Sequence, residues 1–78
     1  MRPWALMRGL PWKSQGGATF PSTTRSAAQR AADRHMRGIV VSVEHQTNGE
    51  LWMRDRGQWS CERQPNDPAW LRANGKQP

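Results

Sequence analysis

Cys61, His35 and His45 are the side chains of this 78-residue chain with the chemistry of a nucleophile, a general base or a soft metal ligand. Their settings argue against each role. Cys61 falls in an alternating stretch that reads as a strand, where a lone cysteine acts as a small apolar filler. His35 stands near the end of a helical pattern, and His45 at a strand end. With a single cysteine and two histidines a structural zinc set is short of ligands. No pair of carboxylates has the spacing of a general acid and base, and no phosphate-cradling glycine motif is present. The sequence therefore offers no catalytic residue, metal site, cofactor or small-molecule substrate. It reads as a binding protein and not an enzyme.

The chemistry that remains is cationic and aromatic. Lys and Arg number 12 against 6 Asp and Glu, a net charge of +6, and all but Lys13 and Lys76 are arginines. Arginine forms bidentate contacts with carboxylate and phosphate and stacks on aromatic faces. Five tryptophans lie among them, as in Arg2/Trp4, Trp52/Arg54 and Arg56/Trp59. Cations interleaved with stacking platforms suit nucleic acid, single strands above all. An acidic protein face fits the charge equally. The competing reading is a solvated basic surface, or a coding bias toward arginine.

These residues need elements to position them. A chain this short forms one domain with a small core. Its lone cysteine allows no internal disulfide. Apolar runs such as Ile39 to Val41 are far below the roughly 20 residues of a membrane span. Residues 1–32 hold basic side chains and no acid, as targeting peptides do, but Pro3, Pro11, Gly16 and Gly17 break a long amphipathic helix. A single cysteine suits a reducing cytoplasm.

The organising stretch runs from Ser22 to Glu62. Thr23 or Thr24 is an N-cap, because its hydroxyl accepts a bond from an orphan N–H. Ala27, Ala28, Ala31 and Ala32 favour helix. Ala28, Ala31, Ala32 and His35, with Thr24 and Met36, form a stripe to set on a sheet. Gly38 supplies the left-handed residue past the helix end. Strands follow at 39–45, 50–55 and 58–62. A Thr47-Asn48-Gly49 loop sets Val43 opposite Met53 and His45 opposite Leu51. An Asp55-Arg56-Gly57 loop sets Met53 opposite Trp59 and Leu51 opposite Cys61. The inner face then carries Ile39, Val41, Val43, Leu51, Met53, Trp59 and Cys61. The outer face carries Ser42, Glu44, Trp52, Arg54, Gln58 and Ser60. An exposed Trp52 beside an arginine marks a contact surface, unless the N-terminal segment or Trp70 covers it. Residues 2–12 read as an edge strand, 18–20 as a short second strand, and 13–17 as a turn. After Gln64 comes a proline-broken tail with one helical turn near 69–74, N-capped by Asp67, and a frayed end.

The expected architecture is α+β, one helix packed on an antiparallel sheet of about five strands. Residues 1–63 form the domain, with its core at 16–62, and 64–78 the tail. The candidate partner-binding residues are Arg30, Arg34 and Arg37 on the helix, and Trp52, Arg54 and Arg56 on the second hairpin.

The order Gly16-Gly17, Ser22-Thr23-Thr24, Ala28-Gln29-Arg30 with Ala32, Gly38-Ile39-Val40, Val43-Glu44, Gly49, Leu51-Trp52, Gly57, Trp59 and Cys61 resembles a known pattern. It is similar to the small phage and prophage anti-CRISPR proteins that inhibit type I Cascade, particularly a type I-F inhibitor with one helix on a five-stranded antiparallel sheet. The likeness covers residues 16–62. In length and N-terminal character the whole chain also looks like a type I-C inhibitor. The segment from Gln64 departs from the type I-F pattern. The resemblance implies binding to the repeated backbone subunit of Cascade, exclusion of target DNA or, in some members, nonspecific nucleic-acid contact through a basic face, and work in the cytoplasm of a bacterial host. It places Arg30 and Arg34 at basic helix positions of that family. Direct binding of DNA or RNA by a small basic protein is the alternative, and a ribosomal-type subunit with basic ends in RNA a third reading.

Overall fold

The computed structural model describes residues 1–11 and 19–76. The expected 13–17 turn, the Gly16-Gly17 pair and the chain end at 77–78 lie outside them. Seven elements follow in order: β1 (Trp4–Arg8), β2 (Thr19–Ser22), α1 (Arg25–His35), β3 (Val41–His45), β4 (Leu51–Asp55), β5 (Gln58–Arg63) and α2 (Pro68–Ala73). The fold is α+β, with a main helix, a short one and an antiparallel five-stranded sheet ordered β2-β1-β3-β4-β5.

Local chemistry sets the helix ends. The Thr24 hydroxyl accepts the Ala27 N–H at 3.1 Å and starts α1. Gly38, at φ +76°, turns the chain left-handed beyond the Met36 cap. The Asp67 carboxylate accepts the Trp70 N–H at 3.1 Å, and Pro68 opens α2.

Both expected hairpin registers are corrected. The β3–β4 loop has four residues, because the His45 N–H bonds the Glu50 carbonyl at 2.9 Å. His45 Nδ1 accepts the N–H groups of Thr47 and Asn48, both at 3.2 Å, and this imidazole cap lets the loop lengthen. Val43 therefore pairs with Trp52, and Val41 with Arg54. The β4–β5 loop has two residues, Arg56 and Gly57, with φ of 54° and 78°. Two left-handed residues make the primed turn that suits strand twist. Met53 then faces Ser60, and Arg54 faces Trp59. One slip in register exchanges the faces. Trp52 and Arg54 point toward α1, while Leu51 and Met53 lie on the opposite face.

The core sits between α1 and the first strands. Trp4, Leu6, Ala28, Ala32, Met36, Val41 and Val43 cluster there, with Ala31, Trp52 and Trp59 packed against them. Ala28 and Ala32 are fully buried, and their small side chains bring α1 close to β1, β2 and β3. Burying a Leu or Val side chain stabilises by about 1.5–3 kcal/mol, so Leu6, Val41 and Val43, all at 0 % exposure, are main contributors. Two expectations change here. Ile39 lies before β3 and is exposed at 41 %, and His35 is exposed at the end of the helix.

β1 is an interior strand paired with β2 and β3, and supplies Trp4, Ala5, Leu6 and Met7 to the buried set, so the core extends beyond 16–62. β2 takes the edge, where Pro21 needs no ladder donor. The second face of the sheet is covered as well. Ser42, Glu44 and Leu51 are buried, and the tail folds back: Asn66 N–H bonds the Asn48 carbonyl at 2.7 Å, and Leu71 is buried.

Candidate anion-binding surface

Three arginines are each held by an acid and a tryptophan, Arg54 and Arg63 largely buried and Arg25 with 41 % of its side chain exposed. Arg25 pairs with Glu50 at 3.3 Å and lies 4.2 Å from the Trp52 ring centre. Trp52 Nε1 donates to the same Glu50 carboxylate at 2.7 Å. Arg54 pairs with Asp33 at 2.8 Å and lies 5.9 Å from the Trp59 ring centre. Its guanidinium also donates to the Met36 and Ile39 carbonyls, which caps the end of α1. Arg63 pairs with Glu44 at 2.7 Å, donates to the Gly49 carbonyl at 3.0 Å, and lies 5.9 Å from the Trp70 ring centre. A register shift between the partners of Leu51 and Trp52 sets Arg63 opposite Leu51, on the face of Glu44.

These are the three ion pairs among the described residues. They remove equal numbers of each sign, so the whole net charge of +6 rests on the unpaired groups. Three of the unpaired arginines stand on α1 or just past it. Arg30 and Arg34 are exposed one turn apart, and Arg37 follows just past the helix, also exposed. Arg34 stands in the last turn, where a cation complements the helix dipole. The exposed Arg8 closes β1 opposite Val41, close to where α1 hands over to β3. Arg56 is exposed at the apex of the β4–β5 turn.

Between the α1–β3 connection and that turn lies an open cleft of about 510 Å³. Arg37, Gly38, Ile39 and Val40 form one wall, and Asp55, Arg56 and Gly57 the other. Asp33 and Arg54, already paired, also line it.

The six residues singled out in the sequence thus divide. Arg30, Arg34, Arg37 and Arg56 are exposed, the last two across the cleft from each other. Arg54 is buried at 6 %, with its donors committed to Asp33 and two carbonyls. Trp52 is half-buried under Arg25, toward the helix and not on an outer face. It packs against the core cluster that includes Trp4 and Leu6 of the N-terminal strand. Cys61, His35 and His45 lie on β5, at the end of α1 and at the end of β3. The Nδ1 lone pair of His45 is occupied by backbone N–H groups, and its ring meets Trp4 edge-on at 5.1 Å.

Sequence reasoning missed the Ile39–Val40 pair, because two β-branched residues after a glycine read as the start of a strand. It also missed Arg25 as a cover for Trp52. Their separation of 27 positions hides the contact.

Among the described residues no helix is long and apolar enough to cross a membrane, and no group of three or more His, Cys, Asp or Glu could hold a metal ion. Comparison with protein-family models, curated proteins and solved structures finds no match for this chain.

Proposed function

We propose that the protein acts by binding an anionic partner and not by catalysis, and that the contact surface is the exposed arginine stripe of α1 with the neighbouring cleft. The observation that carries this reading is the division among the arginines. Arg25, Arg54 and Arg63 are matched by acids, while Arg30, Arg34, Arg37 and Arg56 stand exposed without an ion pair. Exposed guanidinium groups offer bidentate contacts to carboxylate or phosphate.

The specific form of the proposal follows the resemblance to small anti-CRISPR proteins. The partner is then the backbone subunit of a type I Cascade complex, target DNA is excluded, and the protein works in the cytoplasm of a bacterial host. Direct binding to DNA or RNA is the second reading, favoured by the same stripe. The internal use of Trp52, Trp59 and Trp70 beneath arginines weighs against single-strand stacking as its mode.

Two assays at about 150 mM salt, where the Debye length is about 8 Å, separate these readings. One measures capture of purified type I Cascade and its remaining affinity for target DNA. The other measures gel-shift on duplex DNA alone. Cascade capture with loss of target binding supports inhibition. Binding to bare DNA that weakens steeply with salt, without Cascade capture, supports direct binding. Absence of both refutes the proposal.

A further inference from the structure

Ile39 and Val40 stand outside both the core and the arginine stripe. With Met1 they are the large apolar side chains left exposed among the described residues, at 41 % and 37 %. They adjoin in sequence and line the same cleft between the left-handed Gly38 and the start of β3, where the Val40 carbonyl accepts the Gly9 N–H at 2.8 Å. The Ile39 carbonyl is pinned by Arg54, which fixes the segment that presents them. An exposed apolar pair on a fixed backbone and rimmed by polar groups has the character of a contact site.

The charges around the pair narrow the partner. Arg37 and Arg56 bring positive charge to opposite walls, and Asp55 brings a carboxylate outside the ion pairs. A phosphate backbone would satisfy the arginines, but it would meet Asp55 with like charge and leave Ile39 and Val40 uncovered. A polypeptide supplies all three complements: carboxylates for Arg37 and Arg56, backbone N–H groups for Asp55, and an apolar side chain for Ile39 and Val40. We infer that the cleft is a docking site for an acidic protein segment that carries an apolar side chain beside its carboxylates. This rests on the binding reading above and deepens it. The α1 stripe attracts at long range, and the cleft selects protein over nucleic acid.

The test is an NMR titration of the full chain with three probes: a blocked glutamate peptide with a central leucine pair, an all-glutamate peptide of equal length, and a DNA oligomer. The leucine-bearing peptide is expected to shift the Ile39 and Val40 methyl signals and the Gly38 and Gly57 amides. It should bind about four-fold or more tightly than the all-glutamate peptide, the effect of burying roughly one methylene. In an Ile39→Ser/Val40→Ser variant that preference should disappear. Both positions are exposed, and unchanged amide signals in β1 and β3 would verify the fold. Equal affinity for the two peptides overturns the inference, as does DNA moving the Ile39 and Val40 methyls as strongly as peptide. DNA that shifts only signals around Arg30 and Arg34, while the leucine peptide leaves the cleft unmoved, overturns the cleft assignment and keeps the binding reading. No response to any probe, with no Cascade capture, removes both.

Discussion

Arg54 and Arg34 carry the same guanidinium, yet the structure treats them oppositely. Arg54 is buried, pairs with Asp33, covers part of Trp59 and ties the Met36 carbonyl at the end of α1 to the Ile39 carbonyl before β3. Arg34 stands exposed on that same helix with no ion pair. A basic composition therefore serves two ends. Part of it substitutes for apolar core in a chain too short to build much of one, and part stays exposed at the surface. What separates the two is supply. An arginine becomes structural here where an acid and an indole both come within reach, and the chain holds only 6 acids for its 12 basic residues.

The largest test of this comparison is Arg54→Met, which keeps side-chain bulk but removes the charge and every donor. The carbonyls of Met36 and Ile39 lose a partner and Asp33 loses its counter-ion. The expected loss of stability in urea unfolding is about 2–4 kcal/mol. Gly49→Ala comes next. Gly49 has φ +80°, and an added Cβ would lie 2.4 Å from the Trp70 ring. Strain and displacement of α2 together should cost about 1–3 kcal/mol, with a change in tryptophan fluorescence. Trp52→Phe keeps most of the packing and removes the indole N–H to Glu50, so a loss of about 1 kcal/mol is expected.

The smallest effect on stability falls on the exposed set. Arg30→Gln, Arg34→Gln and Arg37→Gln should each change stability by less than about 0.5 kcal/mol. If the partner is nucleic acid, each should flatten the dependence of log affinity on log salt by about one. A large stability loss in the exposed set, or none at Arg54, would break the comparison.

Much of this division was hidden in the sequence. The helix was legible, because Thr24, the alanine pairs and Gly38 mark its ends and its buried side. So were the α+β class and α2, whose Asp67-Pro68 start is a purely local signal. The strands could be placed but not their register. That depended on the His45 imidazole capping a four-residue loop and on Arg56 taking a left-handed conformation, which its residue type does not announce. Those two facts exchanged the faces of β4 and sent Trp52 and Arg54 inward. The exposed arginines Arg30, Arg34 and Arg37 were legible because they sit on the helix whose buried side was read. The matches of Arg25 to Trp52 and Arg63 to Glu44 were not, since they join positions far apart in sequence.

The division itself can be observed without any partner, from rotation about the Cζ–Nη bonds of the arginine side chains by nitrogen-detected NMR. Guanidinium groups held by carboxylates and carbonyls rotate slowly, and solvated ones average quickly. The account predicts slow rotation for Arg54 and Arg63, whose side chains are only 7 % and 19 % exposed and whose Nη atoms carry the bonds. Arg30, Arg34 and Arg56 should average rapidly. Rotation of Arg54 as free as that of Arg34, or restriction of Arg30 and Arg34 in the isolated protein, would contradict it.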